Sequence, residues 1–282
     1  MKSLGFFTVA LGRQYEQFVS PYITSTQLSY PGSTVEILVN DSAEFARNNA
    51  AQVAGLRQHF DGCFWINTIP HQLRCLYPGA VRFVTQPLNM PMPEILYIGD
   101  VDVLISTHSP KIDKHVDYMN TLGLPYSNVI RDGVPRLTGL HVVRTADYFE
   151  KLTPTVLAEA ATRLRKATDE RLLYRLMNDN FGVPKVGVPR PMHGIHMSPS
   201  RPMLSGDGST FAASLHWGVH NGDEQSEIYN GRQAAYKEMA KEPAWKHMLP
   251  LFSDEYRHKI EEMDLLLDIG YEQYCKLRHI NN

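Results

Sequence analysis

The sequence predicts an α/β fold in which helices flank a mainly parallel central sheet and a helical region closes the C-terminus. Short apolar runs of strand length alternate with stretches of helical apolar spacing through the first half of the chain. Such strand–helix–strand alternation is typical of parallel sheets that are covered on both faces. The last part of the chain, in contrast, carries only helical patterns.

The predicted elements follow one another in a regular order. The first five are a strand over 6–11, a helix over 15–28, a strand over 35–39, a helix over 43–59 and a strand over 63–69. A continuous apolar run predicts a further strand over 95–99, and another is expected over 137–143. Helical patterns then cover 154–166, 169–181, 223–240 and 253–280.

Residues 182–210 differ in character, with five prolines and several glycines in a short stretch. No packed element is expected there, so the segment predicts a long, mobile functional loop. We therefore expect a catalytic domain over 1–220 that includes this loop, and a helical extension over 221–282. The apolar run 265–267 would pack inward or against a partner chain, the second case giving a homo-oligomer.

Composition and charge exclude several classes of protein. Of 282 residues, 43% are hydrophobic and 21% charged, as in a globular enzyme and unlike a disordered chain. Lys and Arg number 28 against 30 Asp and Glu, a balance that gives no excess of positive charge for binding nucleic acid. Three scattered cysteines indicate reduced thiols, and no apolar run reaches membrane-spanning length. We expect a cytoplasmic protein, either free or peripheral to the inner membrane.

Two carboxylates follow the predicted strand 95–99, because Asp100 and Asp102 flank Val101. Alternate strand residues share a face, so both can converge on one point, where two like charges need a cation. Oxygen ligands at a strand end suit Mg²⁺ or Mn²⁺, which can hold a diphosphate in its remaining positions. The alternative is coincidence, since Asp-x-Asp occurs by chance about once in a chain of this length.

Histidines of the 182–210 loop and its neighbourhood are candidates for completing this metal shell. His196 is the expected third ligand, with His193 or His216 as alternatives. Arg190 and Arg201 flank the first pair and suit phosphate oxygens, which guanidinium groups bind in a bidentate manner. A solvated surface loop without a binding role is the competing interpretation.

Three segments together resemble glycosyltransferases of the A-type (GT-A) fold. These segments are Phe7–Tyr15, Val35–Asp41 and Asp100-Val101-Asp102, and the likeness covers the first two-thirds of the chain. The sequence is most similar to the retaining galactosyl and N-acetylgalactosaminyl transferases related to the blood-group A/B enzymes. The C-terminal third shows no such likeness.

The resemblance implies a donor site at the ends of the first strands. The turn that would cradle the nucleotide base consists of Ala10, Leu11, Gly12, Arg13 and Tyr15. Asp41 would border the same pocket, although an Asp after a strand also serves as a helix N-cap. Asp100, Val101 and Asp102 would hold the metal and the ribose side of the donor.

The resemblance also implies an acceptor site and a reaction centre. The residues expected to contact the acceptor are Thr138, Gly139, His141 and Trp217, the last either on a sugar face or in the core. Glu170 is the expected catalytic carboxylate on the face opposite the leaving group, and Asp169 would bind the acceptor hydroxyl. Both could instead be acidic first-turn residues favoured by the helix dipole.

The sequence therefore predicts a metal-dependent transferase that moves a sugar from a nucleotide-sugar, with a UDP-sugar expected, to a glycan or glycolipid acceptor. Retention of configuration is expected from the same resemblance. A role in bacterial surface glycan synthesis is expected as well. A nucleotidyltransferase that forms a sugar nucleotide is one alternative, although Gly12-Arg13 is a poor phosphate loop. A non-catalytic binding protein on the same fold is the other.

Overall fold

A computed structural model describes residues 3–106, 112–128, 135–164, 166–184, 194–197 and 222–269. The strands in this part of the chain are β1 (Leu4–Ala10), β2 (Thr34–Val39), β3 (Phe64–Thr68), β4 (Ile95–Ile98), β5 (Val103–Ile105), β6 (Tyr126–Ser127), β7 (His141–Arg144) and β8 (Gly194–His196). The α-helices there are α1 (Arg13–Glu16), α2 (Val19–Ser29), α3 (Ser42–Asn48), α4 (Ala50–Phe60), α5 (Ile112–Leu122), α6 (Thr145–Lys151), α7 (Pro154–Arg163), α8 (Asp169–Asn180), α9 (Gly222–Lys241), α10 (Pro243–Met248) and α11 (Asp254–Ile269). Short 3₁₀ helices cover His71–Leu73, Pro78–Phe83 and Leu249–Leu251.

Six strands form the main sheet, in the order β3-β2-β1-β4-β7-β6. The first four run parallel, and β7 pairs antiparallel with both β4 and β6. Strands β5 and β8 form a separate antiparallel pair. The predicted mainly parallel sheet with a helical C-terminal region is confirmed.

Both faces of the sheet are covered, which explains why the central strands are apolar throughout. Phe6 of β1 joins a core cluster with α2, α4 and α9–α11, whereas its neighbour Phe7 joins a cluster with α6–α8 on the opposite face. Successive side chains of a strand point to opposite faces, so a strand between two helical layers must be apolar at every position. The alternating pattern of a half-exposed strand is therefore missing from β1.

The C-terminal helices belong to the same core as the sheet. Trp245 of α10 and Tyr256 of α11 are fully buried, and Tyr256 packs edge-on against Phe18, just before α2. The proposed boundary between 220 and 221 and the proposed homo-oligomer remain predictions. The side chains of residues 265–267 lie outside the described part of the chain.

Several predicted elements differ from the observed ones. The predicted helix 43–59 is two helices, because Asn49 leaves the helical conformation and its side-chain amide donates to the carbonyl of Phe45. The expectation of no packed element within 182–210 is wrong, since β8 lies there and Ile195 is fully buried. Three residues are too few for a strand pattern to be recognised in a sequence.

Two buried histidines predict that the fold loses stability in mild acid. Burial lowers the pKa of His141 to about 3 and that of His115 to about 4. The unfolded chain takes up these protons near pH 6.5, so the free energy of unfolding falls as pH drops from about 6.5 towards 4. We expect the urea midpoint to decrease between pH 7 and pH 5.

A substitution tests the histidine origin of this pH dependence. His141→Phe keeps an aromatic ring among Phe83, Tyr126 and Tyr148 and removes the titrating group, so the pH dependence should become shallower. Tyr148→Phe provides the control, since it alters the same aromatic cluster without removing a histidine and should leave the slope unchanged. An unchanged slope in His141→Phe would contradict the assignment.

Candidate functional site

A cleft of about 550 Å³ opens where β1 and β4 end. Parallel strands bring their carboxyl ends to one edge of the sheet, and ligands bind at that edge in open α/β folds. Leu11 and Tyr15 reach the cleft from the β1 side, and the Asp100–Asp102 segment reaches it from β4. The two segments that the sequence singled out are thus brought together.

Arg82 is the residue at the centre of the cleft that sequence reasoning missed. Its guanidinium is 3% exposed, and one nitrogen, Nη2, lies 2.7 Å from Oδ1 of Asp100 and 3.1 Å from Oδ2 of Asp169. Burial alone would lower the pKa of Arg82, but the two carboxylates outweigh it and raise the pKa. A permanent positive charge therefore links the β4 end to the start of α8.

The 3₁₀ helix Pro78–Phe83 carries Arg82 into this position by packing against β1 and α8. Gly139 lies directly beside the ion pair. A Cβ atom on Gly139 would meet Nη2 of Arg82 at 2.9 Å and Oδ2 of Asp100 at 3.0 Å. A larger residue would displace the guanidinium or the carboxylate, so the absence of a side chain preserves the cleft.

Asp100 is less acidic than an exposed aspartate. Burial raises the pKa of its carboxyl, Arg82 opposes this, and the like charge of Asp102 raises the pKa further. Its side chain remains 28% exposed and therefore still faces the cleft. One of its carboxylate oxygens, Oδ1, is bound to Arg82, and the residue forms part of the cleft lining.

His196 lies beside Asp102 because β8 pairs with β5. Val103 is opposite His196 in this pair, and the amide of Met197 donates to the carbonyl of Asp102. As a result Nε2 of His196 is 3.2 Å from Oδ2 of Asp102. Adjacent ligands of an octahedral Mg²⁺ or Mn²⁺ are separated by a similar distance of about 3 Å.

The side chains of Asp102 and His196 suit a divalent cation that has several coordination positions left for other ligands. Among the described residues, no group of three or more His, Cys, Asp or Glu side chains is arranged around one point. Asp102 and His196 would hold such an ion directly, and Asp100 adjoins them with one oxygen already bound to Arg82. Water and a phosphate-bearing ligand would supply the remaining oxygens.

Gly194→Ala tests whether strand pairing positions His196. A Cβ atom at Gly194 would lie 1.9 Å from the carbonyl oxygen of Leu104, so the β5–β8 pair must separate. We expect the Mn²⁺ affinity to fall about tenfold or more, measured by calorimetry, because His196 moves away from Asp102. Gly55→Ala is the control, since its Cβ meets only side-chain atoms of Met248 and Leu251, outside the cleft lining. Equal Mn²⁺ affinities in both variants would contradict this role.

The N-terminal turn matches its predicted place only in part. Gly12 adopts φ 95°, a left-handed conformation, and its carbonyl accepts from the amide of Tyr15. Burial raises the pKa of the Tyr15 hydroxyl, and the nearby Asp102 raises it further. Ala10 is fully buried at the end of β1, and Arg13 is exposed and outside the cleft lining. Leu11, Tyr15 and Gln14, the last not among the predicted site residues, are therefore the residues of this turn that line the cleft.

Asp41 acts as the N-cap of α3, the alternative that the sequence left open. One carboxylate oxygen accepts from the amides of Ala43 and Glu44, each at 2.9 Å. These bonds to the ionised form lower the pKa of Asp41. Asp41 lies outside the cleft lining, and its expected place bordering the donor pocket remains a prediction.

Two predicted acceptor residues are structural instead. Thr138 is buried and bonds through its amide and hydroxyl to the side chain of Asn128. His141 has no exposed surface and packs among aromatic rings. Neither reaches the cleft, which corrects both assignments, whereas Gly139 lies against Arg82 and Asp100.

Asp169 and Glu170 lie differently relative to the cleft, and their predicted roles remain predictions. Asp169 lines the cleft, while Oε2 of Glu170 lies 3.4 Å from Nη1 of Arg136, outside the cleft lining. Successive helical residues point about 100° apart, so only one of the two can face the cleft.

The remaining predicted site residues lie outside the described part of the chain: Arg190, His193, Arg201, His216 and Trp217.

Comparisons with known proteins give limited similarity. No family model matches the chain, and no curated protein sequence matches it. Similar solved structures include the glycosyltransferase GlyE of Streptococcus pneumoniae TIGR4, with TM-score 0.45 and 10% identity over 66% of this chain, and its apo form, with TM-score 0.43 and 10% identity. The chain spans 46% of the length of GlyE.

A third similar structure is the mannosyltransferase PcManGT from Pyrobaculum calidifontis, solved in complex with GDP-Man and Mn²⁺. It has TM-score 0.44 and 11% identity, with 99% of this chain and 84% of that chain covered. Across the described residues of the present chain, none of the helices has the length and apolar character needed to cross a bilayer.

Proposed function

We propose that this chain is a metal-dependent glycosyltransferase that uses a nucleotide-sugar donor. The observation that carries the proposal is the arrangement of Asp100, Asp102, Asp169 and His196 around Arg82 in one cleft at the ends of parallel strands. A diphosphate needs positively charged partners, whereas a sugar hydroxyl needs hydrogen-bond donors and acceptors. This cleft offers partners of both kinds. The sequence resemblance to retaining GT-A enzymes supports the same assignment.

The metal-binding end of the cleft would receive the diphosphate. Asp102 and His196 would hold Mn²⁺ or Mg²⁺, which when bound supplies positive charge that stabilises the diphosphate leaving group. Tyr15 lines the same cleft and offers a ring face on which the base can stack. A UDP-sugar is the donor that we propose.

The part of the cleft around Arg82 and Asp169 would receive the donor sugar. Arg82 offers donors to sugar hydroxyls and keeps Asp169 paired with a positive charge. As the bond from the anomeric carbon to the diphosphate oxygen breaks, Asp169 would stabilise the oxocarbenium-like carbon. The acceptor hydroxyl oxygen would form the new bond to that carbon, and its proton would pass to the departing diphosphate oxygen. We assign this role to Asp169 in place of Glu170, and propose retention with a glycan or glycolipid acceptor, in bacterial surface glycan synthesis.

A donor-hydrolysis screen tests the proposal. UDP-, GDP- and CMP-sugars would be incubated with the protein and Mn²⁺, then again with excess EDTA and with Mn²⁺ restored. We expect turnover of UDP-sugars that chelation abolishes and Mn²⁺ recovers. Nucleotide-sugar formation from a nucleoside triphosphate and a sugar phosphate would instead indicate a nucleotidyltransferase. Nucleotide affinity without any turnover would indicate a binding protein.

A further inference from the structure

A second cavity, of about 540 Å³, lies on the α7 side of the molecule. We name it the apolar groove; residues 70–76, residues 84–88 and one face of α7 form its walls. Leu73, Leu76, Leu157 and Ala161 supply much of the lining. Among the described residues that line it none is charged, and the polar ones are glutamines, threonines and Cys75. Such a lining suits a neutral ligand that is mostly hydrocarbon.

The large exposed apolar side chains in the described part of the chain come from one stretch of sequence. The large hydrophobic residues with the greatest exposure there are Tyr77 at 52%, Met92 at 49% and Leu88 at 45%. All three belong to one segment, 77–92. Leu88 lines the apolar groove, and Tyr77 lines the cleft that holds Asp100 and Asp102. Two of these three exposed residues thus line one or the other of the two cavities.

The groove and the cleft are neighbours along the chain. Leu76 lines the groove, and the next residues, Tyr77 and Pro78, line the cleft. A ligand with a polar head and an apolar tail could therefore place one part in each. Residues of the 3₁₀ helix Pro78–Phe83 line the cleft, and Val84, which follows the helix directly, lines the groove.

We infer that the apolar groove binds the alkyl chain of an amphipathic acceptor whose hydroxyl-bearing head lies in the cleft. The inference rests on the proposed function for the identity of the head. An alkyl chain needs no hydrogen-bond partners, whereas a bound peptide would bring backbone amides and carbonyls to a wall formed mainly by Leu, Val, Pro and Ala. A volume of this size is that of a small-molecule site.

Alkyl glucosides of increasing length provide the test. Dissociation constants for hexyl, octyl and decyl glucoside would be measured by calorimetry below their critical micelle concentrations, without donor. Each buried methylene should tighten binding about fourfold, or more than tenfold for two. Ala158→Trp, an exposed position in the groove wall, should flatten this dependence. Thr155→Trp is the matched control, because Thr155 is exposed on α7 outside the groove lining.

Donor hydrolysis by the same variants separates this inference from the proposed function. Thr155→Trp, outside the groove lining, should hydrolyse the donor at the wild-type rate. Donor hydrolysis with no chain-length dependence in the wild type would overturn the groove assignment alone. Chain-length dependence without donor hydrolysis would support the alkyl site and contradict the proposed function. A wild-type dimer that Ala158→Trp converts to a monomer in sedimentation would assign the groove to a second copy and overturn the inference.

Discussion

Asp102→Asn is expected to reduce donor turnover on the order of 10³-fold, because it removes the negative charge from the side chain that faces His196. The carboxylate is 9% exposed and lies at the end of β4, where Asp100 and Arg82 already form an ion pair. Asparagine has nearly the same shape, so the β5–β8 pair should persist. The loss should appear in Mn²⁺ affinity, measured by calorimetry, as well as in turnover.

Asp41→Asn is the matched control for this substitution. Asp41 also follows a strand of the parallel sheet, but it caps α3 and lies outside the cleft lining. Asparagine is an equally good N-cap, so stability, Mn²⁺ affinity and turnover should stay near wild type. Wild-type Mn²⁺ affinity in Asp102→Asn would remove this residue from the metal site.

The sequence made the position of the acidic edge of this cleft predictable, since a fully apolar strand followed directly by Asp100 and Asp102 places both carboxylates at the end of that strand. The strand pattern fixes where Asp100 and Asp102 lie relative to the sheet. The order of parallel strands then brings the turn after β1 beside them. These are short-range rules, and they predict where the two segments lie, whereas the roles of their residues remain predictions.

The positions of Arg82 and Asp169 in the cleft depend on tertiary contacts that leave little trace in local sequence. Arg82 lies in a short 3₁₀ helix with no recognisable motif, and its two partners are 18 and 87 residues away along the chain. For Asp169 a signal existed. Its spacing of three, four and seven residues to Leu172, Leu173 and Leu176 places it on the buried side of α8, where it can reach the cleft.

Arg82→Met is expected to destabilise the fold by about 3 kcal/mol, because it leaves two partly buried carboxylates without their positive partner. Urea unfolding at pH 7.5 would measure the loss. Without Arg82, the pKa of Asp100 should rise further, because the largest contribution that opposes burial and Asp102 is then lost. Protonation at lower pH would relieve the repulsion, so the stability difference from wild type should shrink as pH falls from 7.5 to 5.

A second substitution distinguishes lost charge from lost packing. Arg82→Met combined with Asp169→Asn removes one of the two unpaired carboxylates, so the double variant should be more stable than Arg82→Met alone. Arg82→Lys keeps the charge, but the compact ammonium cannot take the place of a guanidinium between Asp100 and Asp169. It should retain most of the stability and lose donor turnover about 10- to 100-fold. If Arg82→Lys turned over donor at the wild-type rate, the guanidinium would have a purely structural role, and the sugar-binding end of the cleft would have to be assigned elsewhere.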